Sequence, residues 1–166
     1  GEAMSIGRSF NESLQKGFNS LEYGLYGLDT PKDLDQDKIS ILNELKLQSS
    51  ERLLFVGEAI RQGIATEEIQ NITKYDKWFI NQIQSLVNLE IIISDKGLEK
   101  NIILIAKKNG FSDSKIASIL NINESSVRIF RENNEIKPVF RLVDTCAGEF
   151  ESKTPYLYST YDWEFE

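Results

Sequence analysis

"FSDSKIASILNINESSVRIFREN", residues 111–133, places Ile116, Ala117, Ile122 and Val127 at the core spacing of a helix-turn-helix. That shape has two uses: reading a DNA major groove, or packing inside a helical domain. Residues 106–133 hold Lys107, Lys108, Lys115, Arg128 and Arg131 against Asp113, Glu124 and Glu132, a local excess of positive charge. Yet the groove-facing start of the second helix reads "NESS", where Glu124 would meet phosphate with like charge. No cluster of Arg, Gln or Asn stands in that first turn to read base edges. Packing is the better reading, and a small helix-turn-helix DNA-binding or regulatory protein is the alternative.

Upstream the chain repeats itself. A shift of 47 residues lays Ala59 on Ala106, Gly63 on Gly110, Ile64 on Phe111, Ile69 on Ile116, Ile72 on Ile119, Ile80 on Val127 and Ile83 on Phe130. Each glycine stands where a preceding helix needs a left-handed residue. Thr66 and Asp113 are N-cap types, as are Asp76 and Asn123. The pattern predicts two consecutive helical hairpins of one make. The upstream twin offers Trp78 and Phe79 where the other offers Ser125 and Ser126, and those aromatics suit a packed contact.

Outward from the repeat, Ser9 and Glu12 have capping-box spacing. Phe10, Leu14, Phe18, Leu21 and Leu25 follow as one buried stripe, ended by Gly24, Gly27 and Pro31. A second helix fits residues 37–46 with Ile39, Leu42 and Leu45 inward. A third, capped by Ser49 or Ser50, runs to about Gln62. In "WFINQIQSLVNLEIIIS", Ile83, Leu86, Val87 and Ile91 form one stripe and Leu89, Ile92 and Ile93 another. A helix apolar on two sides is central to a core or lies at an interface. After Pro138 the chain turns β-branched and aromatic, and Tyr161, Trp163 and Phe165 alternate with acids, as in an extended arm. The expected fold class is all-α: a multi-helix domain with two tandem helical hairpins and an extended C-terminal arm.

Composition narrows the chemistry. The chain has 166 residues, a net charge of −7 and no histidine, which removes imidazole catalysis and the commonest zinc ligand. No glycine-rich phosphate loop is present. The acidic balance repels nucleic acid at long range, and no apolar run reaches membrane-spanning length. The one cysteine, Cys146, has no histidine to activate it and reads as a small buried residue in a reducing, cytoplasmic setting. The chain opens on Gly1 and not on methionine, which reads as a piece of something longer.

Several segments, in chain order, resemble the large subunit of carbamoyl-phosphate synthetase. "GEAMSIGRSFNESLQKGFNSLE" is similar to the GE-x-M-x-IGR segment that closes its first synthetase half, with "GLDTP" following. "SSERLLFVGEAIRQG", "EEIQNITKYDKWFINQI" and "GFSDSKIASILNINESSVRIFRE" resemble successive stretches of the same family. "IKPVFRLVDTCAGEFESKTPYLYSTYD" resembles its KPVYK-x-VDTCA-x-EF and TPY-x-YSTY pattern almost residue for residue. Departures are modest: Gly17 for a frequent Ala, Ala3 for Val, Phe140 for Tyr, and Leu142 for Lys or Arg.

The resemblance implies a noncatalytic helical oligomerisation and connection block between two ATP-grasp halves. Residues 1–21 would be the closing helix of the first half, residues 22–150 the oligomerisation domain, and residues 151–166 the arm to the second half. The intact enzyme would make carbamoyl phosphate from bicarbonate, ATP and ammonia delivered by a glutaminase small subunit. ATP and Mg or Mn would bind the halves, so the block itself holds no cofactor. Expected partners are a second copy, the two halves and the glutaminase subunit, with no nucleic acid and no membrane. Glu2 matches a glutamate near the family's carbamate channel, and Arg8 matches its IGR arginine. Leu89, Ile92 and Ile93 are the expected oligomer interface. On that reading, lysine at 92 or 93 weakens self-association and leaves the fold intact. A stand-alone dimerisation module is a further alternative.

Overall fold

A computed structural model describes residues 3–32, 37–151, 153 and 156–161. Among them are eight helices: α1 Phe10–Ser20, α2 Lys38–Lys46, α3 Arg52–Arg61, α4 Thr66–Thr73, α5 Lys77–Lys96, α6 Lys100–Lys108, α7 Asp113–Leu120 and α8 Glu124–Asn133. Two strands follow, β1 Val139–Leu142 and β2 Leu157–Thr160, paired antiparallel with Val139 opposite Thr160. The architecture is mostly α, as the periodicity implies. No helix among the described residues is long and apolar enough to cross a membrane.

The repeat is real in three dimensions. Units α3–α5 and α6–α8 keep the 47-residue offset at the ends of α3 and α6, at both ends of α4 and α7, and at the starts of α5 and α8. Their first joints use the same bonds. Gly63 and Gly110 have φ of 74° and 82°. The Gly63 and Ile64 N–H groups donate to the carbonyls of Ile60 (3.0 Å) and Ala59 (2.9 Å). Those of Gly110 and Phe111 donate to Lys107 and Ala106, both at 3.1 Å. This is the Schellman closure in both units. The second joints turn on left-handed Lys74 (φ 60°) and Asn121 (φ 52°). Matched apolar positions fill one core: Ala59 and Ala106, Ile69 and Ile116, and Ile80 and Val127 are all fully buried.

Several sequence expectations shift. Ala65 and Ser112, not Thr66 and Asp113, are the N-caps, because each still has extended backbone. The Ser112 hydroxyl accepts the Lys115 N–H at 3.0 Å, which leaves the Asp113 carboxylate free for other work. Asp76 and Asn123 do cap α5 and α8, Asp76 through its side chain to the Trp78 N–H (2.8 Å). Asp76→Ala is therefore expected to cost about 1 kcal/mol, read as a lower urea midpoint. In α2, Leu45 is inside and Leu42 packs against the core as expected, but Ile39 is exposed and Ile41 is buried in its place. Helix α3 begins at Arg52, and neither Ser49 nor Ser50 caps it. Glu51 stands at its N-cap without a side-chain bond. Helix α1 stops at Ser20, because Leu21 turns extended before Gly24 is reached.

The C-terminal arm is a hairpin that folds back onto its own domain. The Thr160 hydroxyl donates to the Glu12 carboxylate at 3.1 Å, and Tyr161 lies over the Lys107 ammonium, 5.0 Å from its ring centroid. Trp163 and Phe165 lie outside the described residues.

Candidate interaction surface

Helix α1 buries only part of its expected stripe: Phe18 and Leu25 are inside, and polar side chains take the rest of its inward face. Asn11, Glu12 and Gln15 are buried beside Phe18. Polar groups survive burial only when bonded, and here bonds exist. Asn11 Nδ2 donates to Ser85 Oγ (3.0 Å) and Asn109 Oδ1 (3.1 Å), and Gln15 Oε1 accepts the Leu28 N–H (2.6 Å). Phe10, Leu14 and Leu21 consequently stay only half-buried. With Ala3, Gly17 and Phe18 they line an apolar hollow of about 310 Å³.

Phe10 continues this surface onto α5. Its ring meets Trp78 and Phe79 edge-on at 5.5 and 5.3 Å, and those two rings meet each other at 4.9 Å. Trp78 and Phe79 do pack, as their position in the repeat implies, yet remain 51% and 44% exposed. Beside them a second hollow of about 320 Å³ is lined by Phe10, Leu53, Tyr75 and Phe79.

Two further apolar spots stand apart. On α5, Ile91 and Ile92 are exposed, whereas Leu89 and Ile93 lie inside the chain's own core. Of the three expected interface residues only Ile92 faces outward. The reason is geometric: Leu89 and Ile93 are four residues apart, on the stripe they share with Leu86. A lysine at 93 would therefore report on folding and not on association. On the hairpin, Phe140, Leu142 and Leu157 are all exposed, and the register sets Leu142 opposite Leu157 on one face. Glu2 lies outside the described residues, and Arg8 is exposed, its N–H donating to Glu12 at 2.7 Å. Cys146 is half-buried and not fully buried, in a turn where its N–H donates to Asp144 Oδ1 at 3.1 Å.

Of the cations around the hairpin α7–α8, Lys107, Lys115 and Arg131 face inward, while Lys108 and Arg128 are exposed. Arg131 grips Asp113 through Nε (2.8 and 3.0 Å) and Nη2, and Lys107 Nζ sits 3.0 Å from the same carboxylate. Lys115 pairs with Asp29 (2.8 Å) and Glu90 (3.0 Å), and Arg128 with Glu124 (2.9 Å). Burial pushes the Asp113 pKa up, but the Arg131 hydrogen bonds and the Lys107 charge outweigh it and hold it below the ordinary carboxylate value. Burial lowers Lys107 despite the carboxylate, and burial raises Tyr161. Sequence reading counted these cations as a surface feature. No local signal revealed that Asp113 would collect two of them across 6 and 18 residues.

Among the described residues no group of His, Cys, Asp and Glu is placed to hold a metal ion. The described residues present apolar surface, including the three places above, on a helical frame. The family model of the carbamoyl-phosphate synthetase large chain, oligomerisation domain, matches residues 2–135. That span takes in all of α1 to α8, so the chain belongs to the oligomerisation-domain family of the carbamoyl-phosphate synthetase large chain.

Proposed function

We propose that this chain is the noncatalytic oligomerisation and connection domain of a carbamoyl-phosphate synthetase large subunit. The intact enzyme would make carbamoyl phosphate from bicarbonate, ATP and glutamine-derived ammonia, for arginine and pyrimidine synthesis in the cytoplasm. ATP and its Mg or Mn would bind the synthetase halves, and a glutaminase subunit would supply the ammonia. The observation that carries this reading is the outer side of α1. A helix that buries Asn11, Glu12 and Gln15 beside Phe18 and leaves Phe10, Leu14 and Leu21 only half-buried is built to be covered on that side.

Three surfaces then serve three neighbours. The α1 stripe with Trp78 and Phe79 would seat the rest of the first synthetase half, whose closing helix residues 1–21 would be. The outer face of the hairpin, Phe140, Leu142 and Leu157, would seat the second half. Ile91 and Ile92 are left for a second copy of the domain. Ile92→Lys is expected to raise the dissociation constant of self-association roughly tenfold, as seen by sedimentation equilibrium, with helicity and urea midpoint unchanged. A chain that stays monomeric at its highest soluble concentration would defeat the self-association reading. An immunoblot of source-cell extract tests the connection reading. A band several times larger than 19.0 kDa supports it, and a band near that mass removes it. In the second case duplex binding becomes the reading to test. The internal pairing of Lys107, Lys115 and Arg131 argues against it.

A further inference from the structure

One ion pair on α1 touches both ends of the domain. Glu12 and Lys16 are four residues apart and meet at 2.8 Å. Each also reaches in two directions. Glu12 Oε2 accepts the Arg8 N–H (2.7 Å) on the incoming side and the Thr160 hydroxyl (3.1 Å) on the outgoing side. Lys16 Nζ donates to the Ile6 carbonyl (2.9 Å) and to the Ser159 carbonyl (2.5 Å). Glu12 and Thr160 are each only 2% exposed, so little water is available to replace the bond between them, whereas the Lys16 bonds are exposed.

A merely structural capping glutamate would bond the helix start and stop there. Ser9 does cap α1, its hydroxyl accepting the Glu12 N–H at 3.2 Å. The Glu12 carboxylate then goes beyond that local role to hold strand β2. The Lys16 side chain also passes Tyr158, 5.8 Å from its ring centroid.

We propose that the Glu12–Lys16 pair is a clasp that couples the segment entering the domain to the strand leaving it, so that loosening one end loosens the other. Resting on the connection reading above, the clasp would make the domain a transmitting joint, not a passive spacer. The coupling must be reciprocal, since it is a free energy shared between two sites.

Amide hydrogen exchange on the chain itself tests this. Thr160→Val removes one hydroxyl from the outgoing strand, and the readout is the Arg8 amide. Exchange there is expected to rise roughly tenfold, with α5 amides unchanged. The reverse perturbation is Ser5→Ala, which deletes the bond from Ser5 Oγ to the Ser13 carbonyl (2.7 Å) on the incoming side. It should raise exchange in β2 in turn. In a Lys16→Met background, Ser5→Ala should no longer reach β2. A response confined to the perturbed end in both single variants overturns the proposal. Should Thr160→Val loosen the whole domain, Ser5→Ala decides alone, because it changes a half-exposed position outside the core. These results do not depend on whether synthetase halves flank the chain. Failure of the clasp leaves the connection reading standing, and a native polypeptide near 19.0 kDa leaves the clasp standing.

Discussion

Gly110→Ala is expected to lose on the order of 4 kcal/mol of stability, while Gly63→Ala, its partner in the repeat, loses about 1. The two glycines share a left-handed backbone, with φ of 82° and 74°, so the conformational cost of a β-carbon is common to both. The difference lies in what surrounds them. A β-carbon at 63 meets nothing within 4 Å. One at 110 would stand 2.8 Å from Gln15 Cβ and 2.9 Å from the Glu12 backbone. Backbone cannot swing aside as a side chain does, so α1 would have to lift. That movement would break the buried bonds of Gln15 to Leu28 and of Glu12 to Thr160. Urea titrations of both variants check this. Equal losses would show that α1 does not press on the second joint.

Asp113→Ala is expected to cost about 3 kcal/mol, because it leaves two largely buried cations facing each other. Lys107 and Arg131 have side chains 8% and 13% exposed, and both point at the Asp113 carboxylate. The acid response should change as well. Asp113 titrates below its ordinary value in the fold, through the Arg131 hydrogen bonds and the Lys107 charge acting against burial. Its contribution is therefore fully present above the unfolded value near 3.8 and is lost as pH falls through the folded value. The native chain should lose stability in that window, and Asp113→Ala should lose less there. A variant with the native acid profile would show that the carboxylate does not hold these cations. Lys107 sharpens the effect: burial lowers its pKa, so its ammonium is held against a desolvation cost that Asp113 offsets.

Much of this was legible in the sequence because it follows from local rules. Gly63 and Gly110 announced the joints, and Asp76 announced the start of α5. The shared register of Ile69 with Ile116 announced one core from two units. What stayed hidden was every choice made between elements far apart in the chain. Periodicity places Phe10, Leu14 and Leu21 on one face of α1 but cannot say which face turns inward. The polar partners of Asn11, Glu12 and Gln15 decided it, and they come from residues 85, 109, 160 and 28. The same limit explains Leu89 and Ile93. Their stripe was visible, but the helices that cover it were not. Asp113 looked like a cap because it is a capping residue type. Its role became an ionic one only when α6 and α8 brought their cations to it.

The bond from Thr160 to Glu12 spans 148 positions of sequence. Most helix contacts join elements close along the chain, as between α2 and α3 or α7 and α8. Local contacts form first in folding, because they close short loops, and distant ones wait on loop-closure entropy. The two helical units can thus condense while the Glu12 carboxylate has only its local partners, Arg8 and Lys16. During synthesis on the ribosome, Glu12 is made well before Thr160. The Glu12 carboxylate must therefore stay partly wetted until the outgoing strand emerges, and the helix that carries it is among the last to reach its final seat.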